Sequence, residues 1–190
     1  MSAGGWTVLR AGEHRRMAWK NGLGWTNEVA REPADEAEEF AWRVSVAEVD
    51  ADCEFSRFAG IDRSILVLAG AGMELRIGED TRMVVAGGPA LVFAGEDGAA
   101  CRLLAGPTRD FNVMTRRGVY THTLARVQVD GQMELAGDGG TGLVYVAAGQ
   151  VEAAGWVLTA GDCLRGGAVP GDSLRVRGAG ELVVVRLRRV

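Results

Sequence analysis

Basic side chains recur among aromatic residues in the first 118 positions of this 190-residue chain. A guanidinium presents a planar fork of N–H donors that suits a carboxylate, and such charge-assisted hydrogen bonds are strong where water is excluded. These residue types therefore predict a cationic pocket for a small anion, in which neutral hydrogen-bonding groups complete the contacts. The residues expected to bind the ligand are Lys20, Asn21, Thr26, Arg43, Ser45, Arg63 and Asn112.

Four further charged residues are expected to support that pocket through ion pairs: Arg57, Asp62, Arg109 and Asp110. Asp62 precedes Arg63 and Asp110 follows Arg109, so each carboxylate is placed to hold a neighbouring arginine. Direct contact with the ligand is the alternative role for all four, and both interpretations stay open.

The histidines of this chain do not predict a metal site. Only His14 and His122 are present, without a His-x-His pair, and the apolar run 64–69 offers no imidazole or carboxylate. Two isolated histidines cannot build a histidine-rich centre, so no metal and no other cofactor is expected. Proton transfer by Glu28, Asp62 or His122 stays open as the basis of a metal-independent enzyme of the isomerase or hydrolase type.

The scaffold that must position these groups is predicted to be all-β. Short apolar runs bounded by glycine favour strands over helices, as in residues 64–69, which end at the Gly-Ala-Gly turn 70–72. Residues 41–49 alternate, with Trp42 on one face and with Arg43 and Ser45 on the other. That polar face is either solvated or lines the interior of a small barrel.

The second half of the chain repeats the strand and glycine pattern of the first, and residues 143–149 resemble residues 65–70. A strand repeat with short turns and no helical connectors predicts two antiparallel barrels, because closure removes exposed sheet edges. The predicted domains are an N-terminal barrel, 1–118, and a smaller degenerate barrel, 119–190.

Composition excludes several classes of partner. The formal net charge is −4, whereas a nucleic-acid binder normally carries a basic face. No apolar stretch approaches the roughly 20 residues that cross a bilayer, and no secretory signal is visible. The three cysteines, Cys53, Cys101 and Cys163, lack CxxC spacing, which indicates small apolar fillers in a reducing compartment. We expect a cytoplasmic protein without a nucleic-acid or membrane partner.

Four motifs occur in a fixed order within the first domain. They are Trp-Lys-Asn-Gly-Leu-Gly-Trp-Thr at 19–26, Trp-Arg-Val-Ser at 42–45, the segment 55–63 that contains Phe-Ser-Arg-Phe and Gly-Ile-Asp-Arg, and Gly-Pro-Thr-Arg-Asp-Phe-Asn-Val-Met at 106–114. This order resembles the HutD/Ves family, a branch of the cupin superfamily built as a double barrel, or bicupin. The resemblance covers most of residues 6–118 and thins to a general cupin pattern after Gly118.

The resemblance implies a role in bacterial histidine utilisation. It also implies a non-catalytic regulator whose ligand is a small anionic metabolite, such as formylglutamate or a related intermediate of histidine breakdown. A metal-independent cupin enzyme acting on a small carboxylate is the first alternative. The second is an interaction module in which the C-terminal barrel docks a partner or a second copy, giving a homodimer.

Overall fold

The computed structural model describes residues 5–19, 21–34, 39–137, 139–167 and 173–190. The regular structure within these ranges is β-strand apart from two three-residue 3₁₀ helices, Ala11–Glu13 and Gly95–Asp97, which confirms the all-β prediction. No helix within them has the length and apolar content that crossing a membrane requires. The strands are β1 Trp6–Leu9, β2 Arg15–Ala18, β3 Gly24–Glu32, β4 Trp42–Val49, β5 Cys53–Phe55, β6 Ile61–Ala69, β7 Met73–Ile77, β8 Asp80–Val84, β9 Leu91–Ala94, β10 Ala99–Leu103, β11 Thr108–Arg116, β12 Tyr120–Ala136, β13 Thr141–Ala153, β14 Trp156–Thr159, β15 Cys163–Gly167 and β16 Ser173–Arg189.

The chain divides into two compact units, which we name by their place in the sequence. The central unit is Arg15–Thr121, and the flanking unit combines Met1–His14 with His122–Val190. The predicted division after residue 118 differs from this one by three residues and in the assignment of residues 1–14. Those residues join the flanking unit because β1 pairs antiparallel with β15, so that Trp6 lies opposite Gly166.

Two antiparallel sheets make up the central unit. The larger has the order β2-β3-β4-β11-β6-β9, and the smaller has the order β5-β10-β7-β8. One buried apolar cluster draws side chains from both, including Ile65 and Phe93 of the larger sheet and Met73, Leu75 and Cys101 of the smaller. The two sheets therefore face each other across a shared core, as alternation along each strand predicts.

The turn after β6 joins the two sheets of the central unit and depends on glycine. Gly70 has a φ of +92° and Gly72 a φ of +102°, in the region that L-residues with a side chain rarely adopt. A Cβ on Gly70 would lie 2.6 Å from the carbonyl oxygen of Pro107. The backbone of the turn thus packs against the segment that leads into β11.

The flanking unit contains a sheet of order β1-β15-β13-β16-β12, and β14 pairs with β13. Its core is aliphatic and includes Val144, Leu158, Leu164 and Leu182. In the central unit β6 lies between β11 and β9, and in the flanking unit β13 lies between β16 and β15. This correspondence agrees with the repeat seen in the sequence.

Candidate functional site

A cavity of about 560 Å³ opens inside the central unit. Six of the seven residues expected to bind the ligand line it: Asn21, Thr26, Arg43, Ser45, Arg63 and Asn112. The seventh, Lys20, lies outside the residues that the structure describes. The structure thus gathers the described members of the set at one place, although they are spread over more than ninety positions of sequence.

Strand register explains how these side chains meet. Met114 of β11 lies opposite Arg43 of β4 on one side and opposite Arg63 of β6 on the other. Two residues earlier in β11, Asn112 lies directly opposite Ser45 of β4. Directly opposed residues in antiparallel strands project from the same face, so these positions form rows across the interior of the sheet.

This geometry decides between the two interpretations of β4. Ser45 is 3% exposed and lines the cavity together with Arg43. Trp42 and Val44 on the opposite face are also buried. The polar face of β4 therefore belongs to the cavity, and the strand has no solvated face at these positions.

Arg63 is the central cation of the cavity and is only 4% exposed. Its Nη2 donates to Oδ1 of Asn112 at 3.1 Å, and its Nη1 donates to the carbonyl oxygen of Ser56 at 3.3 Å. The guanidinium carbon lies 4.9 Å from the ring centroid of Phe93, and two more rings, those of Phe55 and Phe58, lie within 6 Å. These distances are typical of cation–π contacts.

The Nε of Arg63 is buried and has no hydrogen-bond partner among the described residues. Burial lowers the pKa of Arg63 to about 10, while Asp110 opposes this shift and Arg43 adds to it. The side chain therefore remains a cation at neutral pH. A buried, charged N–H donor without a partner is costly, and an anionic acceptor entering the cavity would relieve that cost.

Asp110 is the second unusual group of the site and is fully buried. Its Oδ1 accepts a hydrogen bond from Nδ2 of Asn112, and its Oδ2 has no partner within the described ranges. Burial raises the pKa of Asp110 to about 7, against the opposing effects of Arg63 and of the hydrogen bond from Asn112. The carboxyl group is therefore close to half-ionised at neutral pH.

The other arginine of the cavity is already paired. Nε of Arg43 donates to Oε2 of Glu28 at 2.6 Å, and both side chains are largely shielded from solvent. The pair is neutral as a unit, which leaves Arg63 as the cation of the described lining that has a buried N–H without a partner. Glu28 entered the sequence analysis only as a candidate for proton transfer, and its contact with Arg43 ties up one of its carboxylate oxygens.

The mouth of the cavity carries the predicted neutral groups. The indole Nε1 of Trp19 donates to Oγ1 of Thr26 at 2.8 Å, and Oδ1 of Asn21 accepts from the backbone N–H of Leu23 at 3.1 Å. Trp19 also meets Phe55 edge to face, with centroids 6.2 Å apart. These contacts fix Trp19 and Thr26 while leaving the amide nitrogen of Asn21 available to a ligand.

The expected supporting ion pairs differ from those observed. Asp62 does not hold Arg63 but accepts hydrogen bonds from Arg117, at 2.7 Å for Nη2. Asp110 neighbours Arg109 in sequence, yet Arg109 is exposed and the cation that acts on Asp110 is Arg63. The physical reason is alternation: consecutive residues of a strand project to opposite faces.

Arg57 is exposed and lies against Gly98. A Cβ added to Gly98 would lie 2.8 Å from Nε of Arg57. Together with Arg109 and Asp62, Arg57 therefore stands outside the cavity lining.

Neither histidine belongs to the central unit, since His14 and His122 fall in the flanking unit. Burial lowers the pKa of His14. Among the described residues, no three His, Cys, Asp or Glu side chains converge in a way that could hold a metal ion. The proposed proton-transfer set of Glu28, Asp62 and His122 is not assembled in the cavity, because Asp62 faces away from it and His122 lies in the other unit.

Sequence reasoning missed Phe93 and Ser56, which contact Arg63. Phe93 lies directly opposite Arg63 in the pairing of β6 with β9. Alternation along 91–94 would have placed Phe93 on an interior face, but it would not have identified the partner. The carbonyl oxygen of Ser56 lies in a loop, and no sequence signal marks a backbone acceptor.

Fold and site together define a bicupin with a cationic cavity in its central unit. A Cupin 2 conserved barrel domain protein from Leptotrichia buccalis shares the fold, with a TM-score of 0.58 at 11% identity, over 90% of this chain and 92% of that one. The family model named HutD matches residues 11–184, and the chain belongs to the HutD family.

Three relatives support this assignment. A 21.2 kDa protein of the hutC 3′ region in Pseudomonas putida is 38% identical over 146 residues, which are 76% of this chain and 75% of the relative. Protein Ves of Cronobacter sakazakii is 33% identical over 132 residues, 69% and 70% of the two chains. HutD from Pseudomonas fluorescens SBW25, solved in a formate condition, superposes with a TM-score of 0.85 at 35% identity, over 97% and 99%.

Proposed function

We propose that this chain binds a small carboxylate metabolite in the cavity of the central unit and regulates histidine utilisation without catalysing a reaction. The observation that carries the proposal is the buried Nε of Arg63, which points to a missing anionic acceptor. Arg63 is rigidly held by Asn112 and by the carbonyl oxygen of Ser56. A cation fixed in this way has little conformational freedom left to lose when a ligand binds.

The size and lining of the cavity suit a compound such as formylglutamate. The volume of about 560 Å³ lies in the range of roughly 300–1,000 Å³ that is usual for small-molecule sites. Phe55 and Phe58 supply apolar contact area, while Ser45 and Asn21 supply hydrogen-bonding groups. A carboxylate on Arg63 with a polar tail toward the mouth fits this distribution.

A binding role is favoured over catalysis by the state of two carboxyl groups of the site, Asp110 in the cavity lining and Glu28 beside Arg43. Oε2 of Glu28 is engaged by Arg43, and Oδ1 of Asp110 is engaged by Asn112. A general base must reach the proton that it abstracts, and each of these two oxygens is already committed to a donor of the protein. The cavity therefore supports recognition better than proton transfer.

A thermal-shift screen tests the proposal, with urocanate, formiminoglutamate, formylglutamate and glutamate as ligands. A ligand that binds only the folded state stabilises it by about 3 kcal/mol at one hundred times its dissociation constant. We expect saturable stabilisation by at least one of the four, and nuclear magnetic resonance of the same mixtures should show no product after prolonged incubation.

Two substitutions of Arg63 and one control sharpen the test. Arg63→Ala removes the cation, and Arg63→Lys keeps a charge without the planar fork. The control is Arg109→Ala, which removes an exposed arginine outside the cavity. We expect Arg63→Ala to abolish the ligand shift, Arg63→Lys to weaken it and Arg109→Ala to preserve it. Normal binding by a folded Arg63→Ala protein would refute the site, and turnover of any ligand would favour the enzyme alternative.

A further inference from the structure

We propose that Asp110 and the ligand carboxylate compete for the guanidinium of Arg63, so that Asp110 carries a proton whenever a carboxylate is bound in the cavity. The inference rests on the proposed function, because it concerns the same cavity and the same class of ligand. It adds a dependence on pH that neither the fold nor the family specifies.

A continuous hydrogen-bonded path links the two groups. Arg63 Nη2 donates to Oδ1 of Asn112, and Nδ2 of the same amide donates to Oδ1 of Asp110. Asp110 is completely buried, and its second oxygen has no partner among the described residues. Its ionised form therefore depends on the charge of Arg63 and on one hydrogen bond.

Each neighbouring element presents a group that acts on this site. Strand β6 contributes Arg63, and β4 contributes Arg43, which is neutralised by Glu28 of β3. Strands β5 and β10 contribute Cys53 and Cys101, whose ionisation Asp110 opposes, and β5 also contributes Glu54, an exposed carboxylate of the lining. Among the buried charged groups that the structure describes at this site, one cation without a charged partner, Arg63, faces one carboxylate, Asp110, so their charges balance when Asp110 is ionised.

A second carboxylate changes that balance. Two carboxylates that share one guanidinium in a water-poor site cannot both remain ionised without a large electrostatic penalty, and one of them takes up a proton. Arg63 lines the cavity and can offer its unused Nε–H to the ligand, whereas the ionised Asp110 keeps only the hydrogen bond from Asn112. The ligand therefore keeps its charge, Asp110 loses its counterion, and the proton comes from the solvent.

The expected pH dependence follows from linkage. The pKa of Asp110 in the unliganded protein is about 7, so at pH 5.5 the proton is already present and binding requires no uptake. Above pH 7 each further pH unit weakens carboxylate binding about tenfold, which amounts to roughly 30-fold between pH 5.5 and 8.5. Arg63, with a pKa of about 10, remains charged throughout this interval.

The test measures dissociation constants for formate and for formylglutamate at four pH values between 5.5 and 8.5, by thermal shift against matched sodium chloride. The carboxyl groups of both probes stay ionised in this range. Calorimetry at pH 7.5 in two buffers of different ionisation enthalpy then counts the protons taken up, for which we expect about three quarters of one per ligand.

Substitutions identify the group responsible. Asp110→Asn should bind both probes with an affinity that does not change with pH. Asp62→Asn removes an exposed carboxylate outside the cavity, and Cys53→Ser removes the neighbouring thiol; both should retain the dependence. Binding of the wild type that is independent of pH and takes up no proton would overturn the coupling but leave the proposed function intact. Failure of every probe to bind at any pH would overturn both the coupling and the proposed function. The calorimetry in two buffers uses only the wild-type protein, so it does not depend on whether a variant folds.

Discussion

Replacing Asp110 with asparagine should change the pH dependence of folding in the absence of any ligand. Burial raises the pKa of Asp110 to about 7 in the folded protein, whereas the ordinary pKa of this carboxyl in an unfolded chain is 3.8. Between these values the folded state carries one more proton than the unfolded state, so the free energy of unfolding falls as pH rises. The stability that the Asp110 proton gives the folded state is fully present below pH 4 and is lost by about pH 8.

The structure sets the size of the effect. Each pH unit inside this window changes the free energy of unfolding by about 1.4 kcal/mol for one proton. Between pH 5 and pH 8 the window covers about two units, because the pKa of Asp110 is about 7, so roughly 3 kcal/mol is lost. Asp110→Asn cannot titrate and keeps the shape of the protonated side chain, so it should not show this loss.

Urea unfolding of both proteins at pH 5 and pH 8 measures the effect. All other ionisable groups are the same in the two proteins. Their effects therefore cancel when the change in unfolding free energy between pH 5 and pH 8 is compared between the variant and the wild type. We expect Asp110→Asn to match the wild type at pH 5 and to exceed it by roughly 3 kcal/mol at pH 8. Equal pH dependence in the two proteins would show that Asp110 titrates normally and would refute the reasoning. The control Asp62→Asn alters a partly exposed carboxylate and should behave as the wild type.

Three further predictions concern other parts of the central unit. Gly70→Ala should lower the free energy of unfolding by about 1–3 kcal/mol. The reason is that Gly70 has a φ of +92° and that the added Cβ would lie 2.6 Å from the carbonyl oxygen of Pro107. An unchanged midpoint of urea unfolding would contradict this prediction. Cys53 is half-buried, and its hydrogen bond with Cys101 lowers the pKa of Cys53 and raises that of Cys101, while burial raises the pKa of Cys163. Cys53 should therefore react with a maleimide before the two buried cysteines, and peptide mapping that finds Cys101 or Cys163 labelled first would contradict this. Arg117→Ala should leave the urea midpoint nearly unchanged, since its ion pairs with Asp62 and Glu96 are both exposed to solvent and exposed pairs contribute little.

The fold class and six polar residues of the cavity lining could be predicted from sequence. Alternation along 41–49 placed Arg43 and Ser45 on one face, and only the location of that face remained open. That question depends on what covers the sheet, which is a tertiary property. Short glycine turns likewise predicted strands, because few other structures accommodate so many positive φ values.

The partner of Asp110 could not be predicted. Asp110 and Arg63 are 47 positions apart, and they share a face only through the register of β11 with β6. That register shifts by an irregularity between Arg109 and Asp110, so that Arg109 lies opposite Ala69 and Asp110 lies opposite Val67. A β-bulge changes which side chain faces the interior, and local sequence drew attention to the neighbouring Arg109 instead.

The pairing of β1 with β15 determines when the flanking unit can form during protein synthesis. Residues 6–9 leave the ribosome well before the strand that pairs with them, Cys163–Gly167, which follows more than 150 residues later. Domains tend to fold as units while translation proceeds, so the central unit is complete in sequence well before β1 gains its neighbour. A nascent chain halted ahead of residue 163 would carry the whole central unit with its cavity, while β1 would still lack β15.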